Sequence, residues 1–173
     1  MKYAALLRGI GPANPNMHGG KLAGVMQDLG FSNVQSVISS GNVVFESDSG
    51  DITQLEATIQ AAWPERLGFT SMTIVRSQAQ LEALAAQDPY KGLAHSRESY
   101  LLVTFFKTAP EGLTDNYYSD LGVNALCSVI DTTTSKTPDF MGKLERQFSK
   151  DITSRTWLTI QRILAKMGIS YHV

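Results

Sequence analysis

Two groups of polar residues have the types and spacing needed to bind an anion. In the first group, Arg8 and Gly9 follow an apolar run, a loop rich in Gly, Pro and Asn continues to Asn16, and the polar segment Ser40–Asn42 lies further along the chain. Guanidinium, hydroxyl and amide groups donate hydrogen bonds, and glycine lets a ligand approach the backbone closely. These residue types favour a phosphate or carboxylate site. They are also compatible with a turn that caps itself while Arg8 reaches solvent.

The second group is the segment Thr153–Trp157 with the residues that follow it. Thr153 or Ser154 is a typical helix N-cap, which predicts a C-terminal helix from about residue 154 to residue 167. Arg155 would then lie in the first turn, where a cation opposes the helix dipole at a cost of roughly a few tenths of a kcal/mol. Because helix N-termini favour anions, a bound anion would account for Arg155. The alternative is that Arg155 pairs with Asp151 in solvent.

We predict that the two groups share one small anionic ligand, whose phosphate or carboxylate is held by Arg8 and Arg155. The prediction requires the two segments to meet in the folded chain. No residue is assigned a catalytic role, whether the protein is an enzyme is left open, and neither a cofactor nor a metal is expected. The predicted ligand-binding residues are Arg8, Gly9, Asn16, Ser40, Gly41, Asn42, Arg155, Thr156 and Thr159.

The hydrophobic pattern predicts the elements that position the first group. They are a strand at 2–8, a helix around 22–29, strands at 33–39 and 42–46 joined at Ser40-Gly41, a helix capped by Asp51 and stopped near Pro64, and a strand at 71–75. The order β-α-β-β-α-β over residues 1–76 is the ferredoxin-like arrangement. Strands one and two are then parallel, so the loops that follow them lie at the same edge of the sheet.

The second half, residues 77–173, is predicted to be a degenerate copy of the same fold, in an α+β protein of two packed halves. Its expected elements are a short helix capped by Ser77 and Gln80, strands at 100–106 and 125–131, a short helix at 113–121, a helix with Thr137 as N-cap and Pro138 at its first position, and the C-terminal helix. Trp157 is expected in the core. No linker or low-complexity segment separates the halves.

Several familiar sites are excluded by their spacing. Gly9-Ile10-Gly11 lacks the third glycine of the dinucleotide fingerprint, because Asn14 stands there, and Gly20-Lys21 is not followed by Ser or Thr as in a P-loop. The sequence has no Gly-x-Ser-x-Gly elbow around Ser40. The three histidines are scattered, and the single cysteine, Cys127, lies in an apolar segment and is expected to be an inert buried thiol.

Composition limits the partners. The chain has 173 residues, 43% of them hydrophobic, and 15 basic against 16 acidic residues give a net charge of -1. Balanced charge makes nucleic acid an unlikely partner, and no apolar run approaches the length of a membrane span. One cysteine cannot form an internal disulfide. We therefore expect a cytoplasmic protein without a membrane partner; the oligomeric state does not follow from the sequence.

Three segments resemble the bacterial domain-of-unknown-function family 1697 (DUF1697). They are Ala5–Ile10, Ile38–Phe45 and Thr153–Thr159, in the family's order and spacing. The resemblance implies two ferredoxin-like halves and no known activity. It also implies that the family's signature positions fall at Arg8, Gly9, Ser40, Gly41, Asn42, Arg155, Trp157 and Thr159.

This chain departs from the family pattern in two places. The commoner continuation after Arg-Gly is Ile-Asn-Val-Gly-Gly, whereas here the chain reads Ile10-Gly11-Pro12-Ala13-Asn14. The usual Asn after the C-terminal Arg is replaced by Thr156. The resemblance therefore implies a changed loop beside the predicted site.

Two other functions remain open besides anion binding. Tyr3 and Phe45 lie where sheets of this topology stack RNA bases, but strands that are apolar on both faces indicate a covered sheet, and the basic RNA-binding motif is absent. A protein-interaction module without catalysis is the third possibility. Fold alone decides none of these.

Overall fold

The computed structural model describes residues 1–11, 13–38 and 41–170. The elements of the first half are β1 (Lys2–Leu7), α1 (Gly19–Asp28), β2 (Ser32–Ser36), β3 (Asn42–Glu46), α2 (Ile52–Leu67) and β4 (Thr73–Ser77). The four strands form one antiparallel sheet in the order β2-β3-β1-β4. This is the ferredoxin-like strand order, as the sequence predicted, with β1 in the centre and β2 at an edge.

The second half repeats the sheet but not every helix. Its elements are α3 (Gln78–Ala86), β5 (Ser99–Phe106), β6 (Tyr117–Tyr118), β7 (Ala125–Asp131), α4 (Thr137–Gln147), β8 (Ile152–Thr156) and α5 (Trp157–Lys166). The strand order β6-β7-β5-β8 matches that of the first sheet position by position. A loop stands between β5 and β6, where a complete copy would have a helix. The protein is therefore an α+β fold of two ferredoxin-like halves, the second degenerate.

Local signals explain where several helices begin and end. Asp51 caps α2 by accepting a hydrogen bond from the Gln54 amide (3.0 Å). Ser77 and Gln80 form a reciprocal capping box at the start of α3. Gly30, at φ 93°, follows the end of α1 in the left-handed region that glycine tolerates. These caps involve residues close in sequence, which is why they could be predicted.

The two halves share an apolar core. One face of the first sheet (Ala4, Leu6, Val44 and Ile74) joins α3, α5 and one face of the second sheet in a single cluster. The opposite face of the first sheet packs under α1 and α2, and the outer face of the second sheet packs against α4. Both faces of β1 are buried, as its two-sided apolar pattern predicted.

The prediction for Thr153–Trp157 was wrong. Residues up to Thr156 lie in β8, and α5 begins only at Trp157 with the Thr156 hydroxyl as its cap. Ile152, Thr153 and Thr156 are β-branched and therefore favour a strand, and β5 supplies the antiparallel partner. Arg155 is thus a strand residue, not a residue of a helical first turn.

Two smaller predictions were also wrong. Residues 113–121 form no α-helix: Tyr117 and Tyr118 pair with β7, Asn116 has a positive φ, and a short 3-10 turn follows at Asp120–Gly122. Thr137 is the first residue of α4 and Lys136 is its N-cap. α2 ends at Leu67, less than one turn beyond Pro64 and followed by the left-handed Gly68, as the predicted stop near Pro64 requires. Among the described residues, no helix is long and apolar enough to cross a membrane.

Candidate functional site

The loops that follow β1 and β2 meet at one edge of the first sheet. The Leu7 amide donates to the Gly41 carbonyl (2.9 Å). Gly41 has φ 79°, and a Cβ added there would lie 2.6 Å from Ile10 Cγ1, so this position requires glycine for both its conformation and its close packing. Asn42 is buried and donates from Nδ2 to the Val37 carbonyl (3.1 Å). Ser40 lies outside the described residues.

Arg155 reaches this edge from the second half. It lies opposite Val103 in the register of β8 with β5, so its side chain points toward the shared core. Its guanidinium donates to Asn42 Oδ1 (2.6 Å), Thr153 Oγ1 (2.7 Å), and the carbonyls of Ser154 (2.8 Å), Leu7 (2.7 Å) and Gly41 (3.3 Å). A guanidinium has five N–H groups, and each has an acceptor within the protein.

These contacts make Arg155 a link between the halves. Burial lowers the pKa of Arg155 to about 10, which still leaves the group protonated at neutral pH. Its acceptors are carbonyl, amide and hydroxyl oxygens rather than a carboxylate. Because its donors are occupied, Arg155 is not poised to clamp an anion, and the alternative of an Asp151 pair in solvent does not describe it either.

Arg8 makes the reciprocal connection from the first half. Its Nη1 donates to the carbonyls of Lys150 (2.7 Å) and Ile152 (3.0 Å), at the start of β8. Its Nη2 forms an ion pair with Glu145 of α4. The two arginines therefore cross-link the end of β1 and β8 in both directions.

Arg8 and Arg155 line the same cleft, as the shared-site hypothesis required. We call it the junction cleft; its volume is about 390 Å³. Thr137, Met141 and Glu145, spaced four residues apart on α4, form one wall. The remaining lining residues are Gly9, Leu102, Ile152, Thr153 and Ser154. Charged, hydroxyl and apolar groups therefore meet in one open concavity.

Five of the described predicted site residues do not line the junction cleft: Asn16, Gly41, Asn42, Thr156 and Thr159. Asn16 donates to the Leu67 carbonyl (3.0 Å) and accepts from Lys21 Nζ (2.8 Å), away from the junction cleft. Thr156 accepts from the Thr159 amide (3.3 Å), and their hydroxyls are 3.1 Å apart. These contacts cap the N-terminus of α5, with Thr156 as the N-cap residue.

Sequence reasoning missed the α4 wall. No residue of α4 is among the predicted ligand-binding residues, and Arg8, the partner of Glu145, is 137 positions away in the sequence. The four-residue spacing of Thr137, Met141 and Glu145 was the available signal. It shows that they share a helix face but not what that face meets.

A third arginine connects the halves outside the cleft. Arg76 is buried and donates to the carbonyls of Val123 (2.7 Å) and Phe106 (2.6 Å). Its Nη1 lies 3.4 Å from Glu56 Oε2. Burial lowers the pKa of Arg76 and raises the pKa of Glu56. Both charges remain compensated by this pair and by backbone groups, which is the condition for tolerating them in a core.

Burial prevents base stacking by the sheet aromatics and makes the cysteine thiol unreactive. Tyr3 and Phe45 stack at 5.5 Å beneath α1 and α2 and are fully buried, so they are not available to stack on bases. Burial raises the pKa of the Cys127 thiol to about 12, which leaves it an unreactive thiol. Within the described part of the chain, no group of three or more His, Cys, Asp or Glu residues could hold a metal ion.

Comparison with known proteins supports the fold and adds no activity. The family model "Protein of unknown function (DUF1697)" matches residues 1–116. A conserved bacterial protein from Streptococcus pneumoniae has a similar structure, with a TM-score of 0.68, 22% sequence identity, and coverage of 96% of this chain and 98% of that one. No curated protein matches the chain. At this identity, the structural likeness bears on the fold alone.

Proposed function

Since the chain belongs to DUF1697, a family of unknown function, we propose a function from the geometry of the junction cleft. We propose that the protein binds a small ligand that carries a phosphate or carboxylate group beside an apolar part. The observation that supports this most is the Arg8–Glu145 ion pair, whose side chains are 25% and 29% exposed at the cleft. A partly exposed guanidinium in a concavity is a suitable anion-binding group.

Arg8 is held in a way that favours ligand exchange. Its Nη1 is fixed by two backbone carbonyls, whereas its Nη2 is paired with the side chain of Glu145. A side chain can rotate away more readily than a strand backbone can move. An incoming anion would therefore replace Glu145 while the guanidinium keeps its position.

The other walls of the junction cleft suit the rest of such a ligand. Thr137 and Ser154 contribute hydroxyls, and Leu102, Met141 and Ile152 contribute apolar surface. The volume of about 390 Å³ lies within the range typical of small-molecule sites. A few polar groups around an apolar floor are typical of such sites.

Arg155 has a different part in this proposal from the one its sequence suggested. It holds Gly41 and Asn42 against β8 and would keep the cleft walls at a fixed separation. We therefore propose Arg8 as the ligand-binding arginine and Arg155 as a positioning residue.

Phenyl phosphate tests the proposal because it combines both ligand features. We expect it to raise the melting temperature with saturable concentration dependence and to do so more than inorganic phosphate. Benzyl alcohol, which lacks the anion, should have no comparable effect. Arg8→Gln should abolish the stabilisation. Glu145→Gln should strengthen it several-fold, because the competing carboxylate is removed while the side-chain size is kept.

The chain offers a matched control. Arg66 and Asp28 form an exposed ion pair at 3.4 Å on the first half, and Arg66→Gln should leave the response to phenyl phosphate unchanged. Failure of phenyl phosphate to stabilise the wild-type protein would contradict the proposal. Equal binding by the wild-type and Glu145→Gln proteins would show that the ligand does not compete for Arg8.

A further inference from the structure

A groove runs along β2, between this edge strand and the exposed side of α5. Asn33 and Gln35 line a cavity of about 190 Å³ at one end, and Val37 and Ile38 line a cavity of about 470 Å³ at the other. Lys166 lines both cavities, so they form one continuous feature. We call it the β2 groove and define it by Asn33, Gln35, Val37, Ile38, Arg162 and Lys166.

Ile38 has an unusual conformation for its side chain. Its φ is 57°, in the left-handed region that β-branched residues rarely adopt, and its side chain is 40% exposed. Asparagine or glycine would occupy this position with less strain. Backbone strain of this kind is concentrated at binding sites. Ile38 therefore presents an apolar side chain just beyond the end of β2, at a position where asparagine would be less strained.

The charged groups around the β2 groove are mainly cationic. Arg162 and Lys166 are exposed, and neither forms an ion pair with another described residue. Lys2, which lines the smaller of the two cavities beside the groove, donates to the Met167 carbonyl (2.9 Å). Glu46 is the single carboxylate among the described lining residues, and it accepts a hydrogen bond from Asn33. This excess of cations complements an acidic partner.

The edge strand supplies a docking geometry. Among the described strands, β2 pairs only with β3, and its register shifts between Ser32 and Gln35, where Asn33 is left-handed (φ 49°). The backbone that a further strand can bind is therefore the short extended segment Val34–Ser36. Side chains two positions apart on an added strand would face the same side of the sheet. We propose that an extended peptide segment with apolar and acidic residues two positions apart binds along β2. Its apolar side chains would contact Ile38, since Val37 is only 3% exposed, and its acidic side chains would meet Arg162 and Lys166.

A designed peptide pair tests this inference on the full-length protein. The probe is a fluorescein-labelled eight-residue peptide in which Leu and Glu alternate at every second position, with Ser between them. The control peptide has Lys in place of Glu. We expect saturable binding of the Glu peptide by fluorescence anisotropy and at least tenfold weaker binding of the Lys peptide. Equal binding of both peptides, or no binding of the Glu peptide, would overturn the proposal.

Substitutions test whether the peptide binds in the β2 groove or to exposed cationic side chains in general. Ile38→Asn should weaken binding at least tenfold while leaving the melting temperature equal or higher, because asparagine tolerates the left-handed conformation. Lys166→Ala should weaken binding without unfolding the protein, since the side chain is exposed. Lys91→Ala and Arg97→Ala remove exposed cations outside the groove and should have no effect.

Two further results would count against the proposal. If the Ile38→Asn variant binds the Glu peptide as tightly as the wild type, the β2 groove is not the peptide-binding site. A single-stranded oligonucleotide that displaced the peptide at equal concentration would indicate a nucleic-acid surface instead. Because Arg8 and Glu145 are untouched, these outcomes are independent of ligand binding in the junction cleft.

Discussion

Replacing Arg155 with alanine removes the link that β8 makes to the first half. The variant loses five hydrogen bonds, to Asn42, Thr153, Ser154, Leu7 and Gly41. The Gly41 carbonyl also accepts from the Leu7 amide, so it keeps a partner. Asn42 Oδ1 and the Leu7 carbonyl belong to buried residues, and each lost bond at such a group costs about 1–3 kcal/mol.

Removing the buried charge of Arg155 offsets part of this loss of stability. Lowering the pKa of Arg155 from 12.5 to about 10 corresponds to roughly 3 kcal/mol spent on burying the charge, and alanine recovers that cost. With two or three buried acceptors losing their donor, we expect a net destabilisation of about 2 kcal/mol. This corresponds to a fall in melting temperature of about 4–8 °C for a chain of this size.

Urea denaturation followed by tryptophan fluorescence measures this difference. Arg66→Ala is the control, because it removes an arginine from an exposed pair, and it should cost about 0.5 kcal/mol or less. Arg155→Lys should fall between wild type and Arg155→Ala, since an ammonium has three donors in place of five. If Arg155→Ala is as stable as the wild type, Arg155 is not a structural link and the shared-anion interpretation regains support.

Two further predictions concern the core. The shared cluster predicts one cooperative unfolding transition. Because Trp63 and Trp157 are both buried, replacing either one changes stability, so the comparison is made within each single-tryptophan variant: its urea midpoint by tryptophan fluorescence should coincide with its midpoint by far-UV circular dichroism, and separate midpoints in one variant would refute the prediction. For Cys127, the folded-state pKa of about 12 lies above the unfolded value of 9.0, so both states keep the thiol proton below pH 9 and stability falls as pH rises above 9. Cys127 is expected to contribute about 1.4 kcal/mol of stability loss at pH 10 relative to pH 7. Burial also raises the pKa of Tyr3, Tyr90, Tyr117 and Tyr118, which act in the same direction, so Cys127→Ala should reduce the loss by this amount, and parallel pH profiles of the two proteins would disprove the assignment.

The first half could be read from the sequence because its signals are local. The cap at Asp51, the turn at Gly30 and the two-sided apolar pattern of β1 each depend on residues a few positions apart. Together they predicted the element order, and the element order predicted that the loops after β1 and β2 meet.

The second half was harder because its local signals conflict. Thr153 and Ser154 are good cap residues, yet they lie in a strand because β5 pairs with them. Tyr117 and Tyr118 likewise become a short strand through pairing with β7. In both segments a partner distant in sequence overrides a weak local preference.

The sequence by itself determined the fold class and singled out Arg8 and Arg155 as candidate functional residues. Only the tertiary structure decided which groups these two arginines contact. Arg155 lies 148 positions from Leu7, and Arg8 lies 137 positions from Glu145. Periodicity and capping report on neighbours within a few residues and carry no information about such partners. A guanidinium that looks free in sequence can therefore be fully occupied by backbone carbonyls and polar side chains once two sheets pack together, as Arg155 is, while Arg8 forms a partly exposed ion pair with Glu145.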